Sequence, residues 1–83
     1  MTFELYKQVA LAQDIPEDGL RKGDIATVVD LHPSSEPDGE DGYSLEVFNA
    51  IGETIVVTVV LASAIEPLRE DQVFSVRLLA KSA

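Results

Sequence analysis

The side chains that could do chemistry are few, and they fall in three places. His32, the sole histidine, stands just ahead of Ser34 and Ser35, so an imidazole base and two hydroxyls are close in sequence. Nucleophilic catalysis by such a set needs the base within hydrogen-bond reach of the hydroxyl and a third group orienting the base. Neighbouring positions around Pro33 do not supply that geometry, and His32 reads as a solvated histidine at a strand end. Asp38, Glu40, Asp41 and Glu46 offer the hard oxygen ligands that calcium prefers. A calcium loop places acids or amides at its first, third and fifth positions ahead of a glycine. Counted from Asp38, the fifth position is Gly42 itself, so the pattern falls short. The third place is Gly19 to Asp24, GLRKGD, with two glycines and two bases. It lacks the glycine–lysine–serine/threonine ending of a phosphate loop, and the strand pattern after it leaves no helix N-terminus to face an anion. Turn geometry accounts for its glycines. The absence of cysteine removes thiol nucleophiles, disulfides and thiolate-held iron–sulfur clusters. The expectation is a chain that is not an enzyme and has no cofactor or metal site.

Charge is more informative than any of these motifs. Fifteen acids against six bases give a formal charge of −9 over 83 residues, which suffice for one domain, and 46 % of the residues are apolar, enough to build a core. Proteins answer nucleic-acid phosphates and anionic membrane surfaces with clustered Lys and Arg. Here the six bases are scattered, so nucleic acid and membrane are both disfavoured as partners. A nucleic-acid-binding barrel would have only Tyr6 with Lys7, or Arg21 with Lys22, to build on. An unidentified protein with a basic surface is the electrostatically natural partner, although the same charge can serve solubility alone. Pro33 to Gly42 holds two prolines, two serines, two glycines and four acids, the composition of an exposed loop that mutual repulsion keeps extended. Its acids, Glu36, Asp38, Glu40 and Asp41, form the candidate partner-binding set; the alternative is a solvated loop that merely lengthens a hairpin. Polar residues interrupt Met1 to Leu11, so no secretory signal is expected there. The nearly uncharged run Thr54 to Ile65 is too short to cross a membrane as a helix. The expected location is cytoplasmic.

The elements that must position these groups read as β-strands. Lys7 to Leu11 is a short apolar stretch followed by a polar loop, Gln13 to Lys22. Asp24 to Leu31 alternates Ile25, Thr27, Val29 and Leu31, assigned to the inward face, against Asp24, Ala26, Val28 and Asp30. Tyr43 to Phe48 alternates Tyr43, Leu45 and Val47 against Ser44, Glu46 and Phe48. A tight turn at Asn49 to Gly52 leads to Thr54 to Leu61, where Ile55, Val57, Val59 and Leu61 are assigned inward. The opposite face, Thr54, Val56, Thr58 and Val60, is too apolar for a wet surface, which makes Val56 and Val60 candidates for self-association. Ala62 to Leu68 reads as one short helical turn stopped by Pro67. Val73 to Leu79 reads as a final strand, with a terminal helix as the competing assignment. The expected core comprises Val9, Leu11, Ile25, Val29, Leu45, Val47, Ile55, Val57, Val59 and Ile65. Five short strands suggest an all-β fold, either a small sandwich or a strongly bent barrel, and so short a chain fits the barrel better.

Three segments carry a family resemblance: LYKQVALAQDIPEDGLRKGDIATVVDL, YSLEVFNAIGETIVVTVVLASAIEPL and the short tail. Together they resemble the small bacterial proteins of domain-of-unknown-function family 4926, frequent in cyanobacteria. The resemblance runs from Leu5 to Leu68 and rests most on Leu20, Lys22, Gly23, Asp24, Thr27, Val28 and Val29. Later positions that carry it are Tyr43, Val47, Gly52, Thr54 and Leu68. The family commonly has glycine where Ala26 stands. It implies a single SH3-like barrel, with Gln13 to Lys22 as its first long loop and residues 69–83 as a C-terminal extension, and it implies no reaction. Members look like small partners encoded beside other genes, toxin-like nucleases among them, which suggests an acidic inhibitor of a basic protein. The alternative is a homodimer, or an accessory structural subunit of a larger complex.

Overall fold

A computed structural model describes residues 2–79. Five strands follow one another: β1 (Gln8–Leu11), β2 (Ile25–His32), β3 (Gly42–Phe48), β4 (Thr54–Leu61) and β5 (Ile65–Pro67). They form one antiparallel sheet in the order β4-β3-β2-β1-β5. Two 3₁₀ turns, Pro16–Asp18 and Ala62–Ala64, lie in the connections. The β3–β4 hairpin closes through Asn49, whose Oδ1 accepts hydrogen bonds from the backbone N–H groups of Ile51 and Glu53 at 3.1 and 2.9 Å. Gly52 there takes φ +88°, a conformation that residues with a Cβ resist.

Buried side chains from β1, β2, β3 and β5 meet in a single cluster that includes Val9, Leu11, Ala26, Val28, Tyr43, Leu45, Val47 and Ile65. Ile55, Val56 and Val60 of β4 pack against it. A flat sheet could not bring its first and last strands to one core, so this sheet curls, with the connectivity of a small SH3-like barrel. The N-terminal arm caps the core: Phe3 lies edge-on to the fully buried Tyr43, ring centroids 5.4 Å apart, and its N–H donates to the Tyr43 hydroxyl at 3.2 Å. The loop between β1 and β2 also contributes. Ile15 and Leu20 exchange backbone hydrogen bonds of 3.0 and 3.1 Å and bury both side chains, so this loop is pinned to the barrel.

Two strand faces differ from the alternation read in the sequence, and each of these strands carries one extra residue. Val28 pairs with Leu45 but Asp30 pairs with Ser44, so Val29 is a bulge in β2. Ala26 and Val28 point inward before it and Leu31 packs on the core after it, while Ile25, Thr27 and Val29 are only half-buried. In β4, Val56 pairs with Val47 and Thr54 with Phe48, leaving Ile55 as the extra residue. Val56 and Val60 therefore face the core, and Val57, Val59 and Leu61 are 59, 62 and 55 % exposed. A one-residue slip exchanges the two faces of a strand. The helical turn spans only Ala62–Ala64, and the fifth strand is Ile65–Pro67 rather than Val73 to Leu79. Val73 to Leu79 forms no strand or helix; residues 80–83 of the C-terminal extension lie outside the described part.

Replacing Leu45 by Ala should cost about 2–5 kcal/mol, whereas Val57→Ala should cost less than about 1 kcal/mol. Urea unfolding of both variants checks the assignment of faces.

Candidate docking surfaces

The acidic loop, residues 33–41, joins β2 to β3. Ser34 N–H donates to Asp41 Oδ1 at 2.9 Å, and Ser34 Oγ accepts from Glu36 N–H at 3.1 Å. Gly39 N–H donates to the Glu36 carbonyl at 3.0 Å. These bonds fold the loop instead of leaving it extended. Gly39 lets it close, since a Cβ there would overlap Ser34 Oγ. Glu40 then reaches across to the second 3₁₀ turn, where its carboxylate accepts from Ser63 N–H at 2.7 Å and Ser63 Oγ at 3.2 Å.

The four acids singled out in the sequence therefore divide. Glu40 and Asp41 line an open groove of about 560 Å³ together with Glu66, and Phe3, Ile65 and Pro67 give it apolar surface. No Lys or Arg lines it among the described residues. Glu36 and Asp38 remain exposed on the loop outside the groove lining. Glu66 was not legible as a site residue, because its place depends on β5 pairing with β1 through Ala10. Its only local signal is a carboxylate amid the apolar run Ala64 to Leu68.

A second surface lies along β4, which is an edge of the sheet. Beside it runs a smaller groove of about 220 Å³, walled by Thr58 to Leu61 on one side and by Gln13, Asp14 and Glu17 on the other. Val56 and Val60, the residues expected to meet another chain, turn their side chains inward; the outward row is Val57, Val59 and Leu61.

His32 does not meet Ser34 or Ser35. Its Nε2 lies 2.7 Å from Ser44 Oγ and 3.9 Å from Asp30 Oδ2, on the exposed side of the sheet. Serine and carboxylate thus address the same ring nitrogen, whereas a catalytic triad needs the carboxylate on the other one. No group of three potential metal ligands occurs among the described residues.

Among the described residues, the least exposed ion pair is one the sequence did not announce. Arg77, far along the tail, donates from Nε to Asp24 Oδ1 at 2.9 Å and also contacts Asp24 Oδ2 and the Gly19 carbonyl. Asp24 further accepts from Arg21 N–H at 2.8 Å. Burial raises the Asp24 pKa, but the hydrogen bonds and positive charge of Arg77 and the Arg21 N–H outweigh it and hold the carboxyl below its ordinary value of 3.8.

Together these observations define a small all-β domain of SH3-like connectivity, built on one five-stranded antiparallel sheet. The chain belongs to the family described as domain of unknown function (DUF4926), whose profile matches residues 5–73. No curated protein and no solved structure matches the chain. Among the described residues, no helix is long and apolar enough to cross a membrane.

Two outcomes test this geometry. Gly39→Ala should force Ser34 Oγ out of its hydrogen bonds, costing about 1 kcal/mol and speeding amide exchange at Glu36 and Gly39. A carboxyl whose pKa is lowered by folding stabilises the fold above its unfolded pKa and loses that contribution as pH falls through the folded one. The stability gap between wild type and Asp24→Asn should therefore be full at pH 7 and shrink below the ordinary value of 3.8, as read by urea unfolding across pH.

Proposed function

We propose that this chain is a non-enzymatic protein–protein interaction module of the cytoplasm that receives a basic segment of a partner protein in the groove lined by Glu40, Asp41 and Glu66. The observation that carries this reading is the presence of three acidic residues in the lining of one partly apolar groove, with no Lys or Arg in its wall among the described residues. Glu40 and Asp41 are already held by Ser63 and Ser34, so little rotamer freedom is lost when a cation arrives. A carboxylate has about four lone-pair sites, and these internal bonds leave acceptor capacity for a Lys or Arg head. Phe3, Ile65 and Pro67 suit the aliphatic stem of such a side chain. The net charge of −9 supplies longer-range attraction, which raises association rates and is screened by salt. A surface of this kind can cover a cleft that a basic protein otherwise uses for phosphates, which makes an inhibitory role the natural extension.

Calorimetric titration with an oligolysine peptide tests the groove against diffuse charge. The triple variant Glu40→Gln, Asp41→Asn, Glu66→Gln should bind about tenfold more weakly than wild type. A control losing the same charge elsewhere, Asp18→Asn, Glu53→Gln, Glu70→Gln, should stay within about twofold. Equal losses in the two triple variants would show that net charge, not the groove, attracts the peptide.

A further inference from the structure

We infer that the tail segment Val73 to Leu79 of one copy docks as an added strand on the open β4 edge of a second copy. The first ground is the edge itself. A sheet edge presents unpaired N–H and C=O groups, and soluble proteins normally guard it with Lys, Pro or a bulge. Thr54–Leu61 has no charge and no proline. Its bulge at Ile55 spares Val56 to Leu61, which pair regularly with β3 on the inner side.

The tail has the complementary deficiency. Val73, Phe74, Val76 and Leu78 are 90, 66, 87 and 90 % exposed, on backbone that belongs to no strand. A seven-residue stretch alternating Phe74, Val76 and Leu78 against Val73, Ser75 and Arg77 has the pattern of a strand without a sheet. Arg77 clamps it to Asp24 of its own barrel, at the start of β2 and two strands away from β4 in the sheet order. Phe74, Val76 and Leu78 have the opposite parity to Arg77. Added beside β4, they would continue the exposed row Val57, Val59 and Leu61.

Charge selects the occupant. All fifteen acids lie within residues 1–71, and residues 72–83 carry two bases and no acid. The groove beside β4 has Asp14 and Glu17 in its far wall, so the acidic body of a second copy is repelled there while its tail is not. Each copy has one tail and one edge, so two copies can satisfy each other in a closed, two-fold exchange.

Sedimentation velocity of the full chain from micromolar to millimolar concentration tests this, with circular dichroism confirming the fold of each variant. Wild type should dimerise as concentration rises. Val59→Lys, which spoils the edge, and Val76→Asp, which spoils the tail, should each weaken self-association by about tenfold or more. An equimolar mixture of the two should associate more strongly than either alone, because the intact tail of one meets the intact edge of the other. If Val59→Lys does not fold, Val57→Lys takes its place. A wild type that stays monomeric throughout overturns the inference. So does a Val76→Asp chain that dimerises like wild type, which would indicate edge-to-edge pairing, and so does a mixture that shows no recovery.

Discussion

The register of β4 against β3 decides which half of an almost wholly apolar strand enters the core. Thr54–Leu61 has Val or Ile on both faces, so hydrophobicity alone does not choose between them. Pairing with β3 does: Tyr43, Leu45 and Val47 are buried, and the residues opposite them, Val60, Thr58 and Val56, must share their side of the sheet. The bulge at Ile55 lets the hairpin turn at Asn49–Gly52 and this register coexist. Its consequence is that Val57, Val59 and Leu61 are left facing water, an exposure that follows from the core's demands.

The same economy governs the acidic groove. Its wall is assembled from residues far apart in sequence: Glu40 from the β2–β3 loop, tied to Ser63 twenty-three positions on, Glu66 from β5 and Phe3 from the N-terminal arm. Each is placed by a contact that also serves the barrel. Ala62 N–H donates to the Asp41 carbonyl, Ala12 N–H to the Ala64 carbonyl, and Phe3 N–H to the Tyr43 hydroxyl. Satisfying backbone groups in these connections thereby places three acidic residues along one groove.

Much of this was legible in the chain. Three long strands follow from β-branched alternation, the β3–β4 turn from Asn49 and Gly52, and burial of Val9, Leu11, Leu45 and Val47 from the apolar pattern; Ile65 is buried as expected, but on a strand rather than a helical turn. Burial of Ala26 and Val28 was not legible, and a bulge adds a residue without any compositional mark and reverses the period from that point. The short β5 was hidden for another reason. Pro67 looks like the stop of a helical turn, yet at a sheet edge its missing N–H costs nothing if that side faces away from the neighbour. The Asp24–Arg77 pair spans 53 positions and has no local signature at all. Of the four loop acids, Glu40 and Asp41 line the groove with Glu66, while Glu36 and Asp38 stay outside its lining.

Strong acidity and an unguarded apolar edge are a coherent combination. Edges are usually protected by a charge placed on the strand itself, which also forbids any legitimate strand from docking there. Here β4 carries none, and the protection is moved to the surroundings, with Asp14 and Glu17 across the groove and Glu46 opposite Val57 on β3. Like charge at close range discriminates by sign, so acidic barrels are kept apart while an apolar segment free of acids can approach. In the proposed pairing, edge protection and partner selection rest on the same carboxylates. The reach of that discrimination is set by screening, about 8 Å at physiological ionic strength, which is enough to cover the groove walls but not the whole molecule.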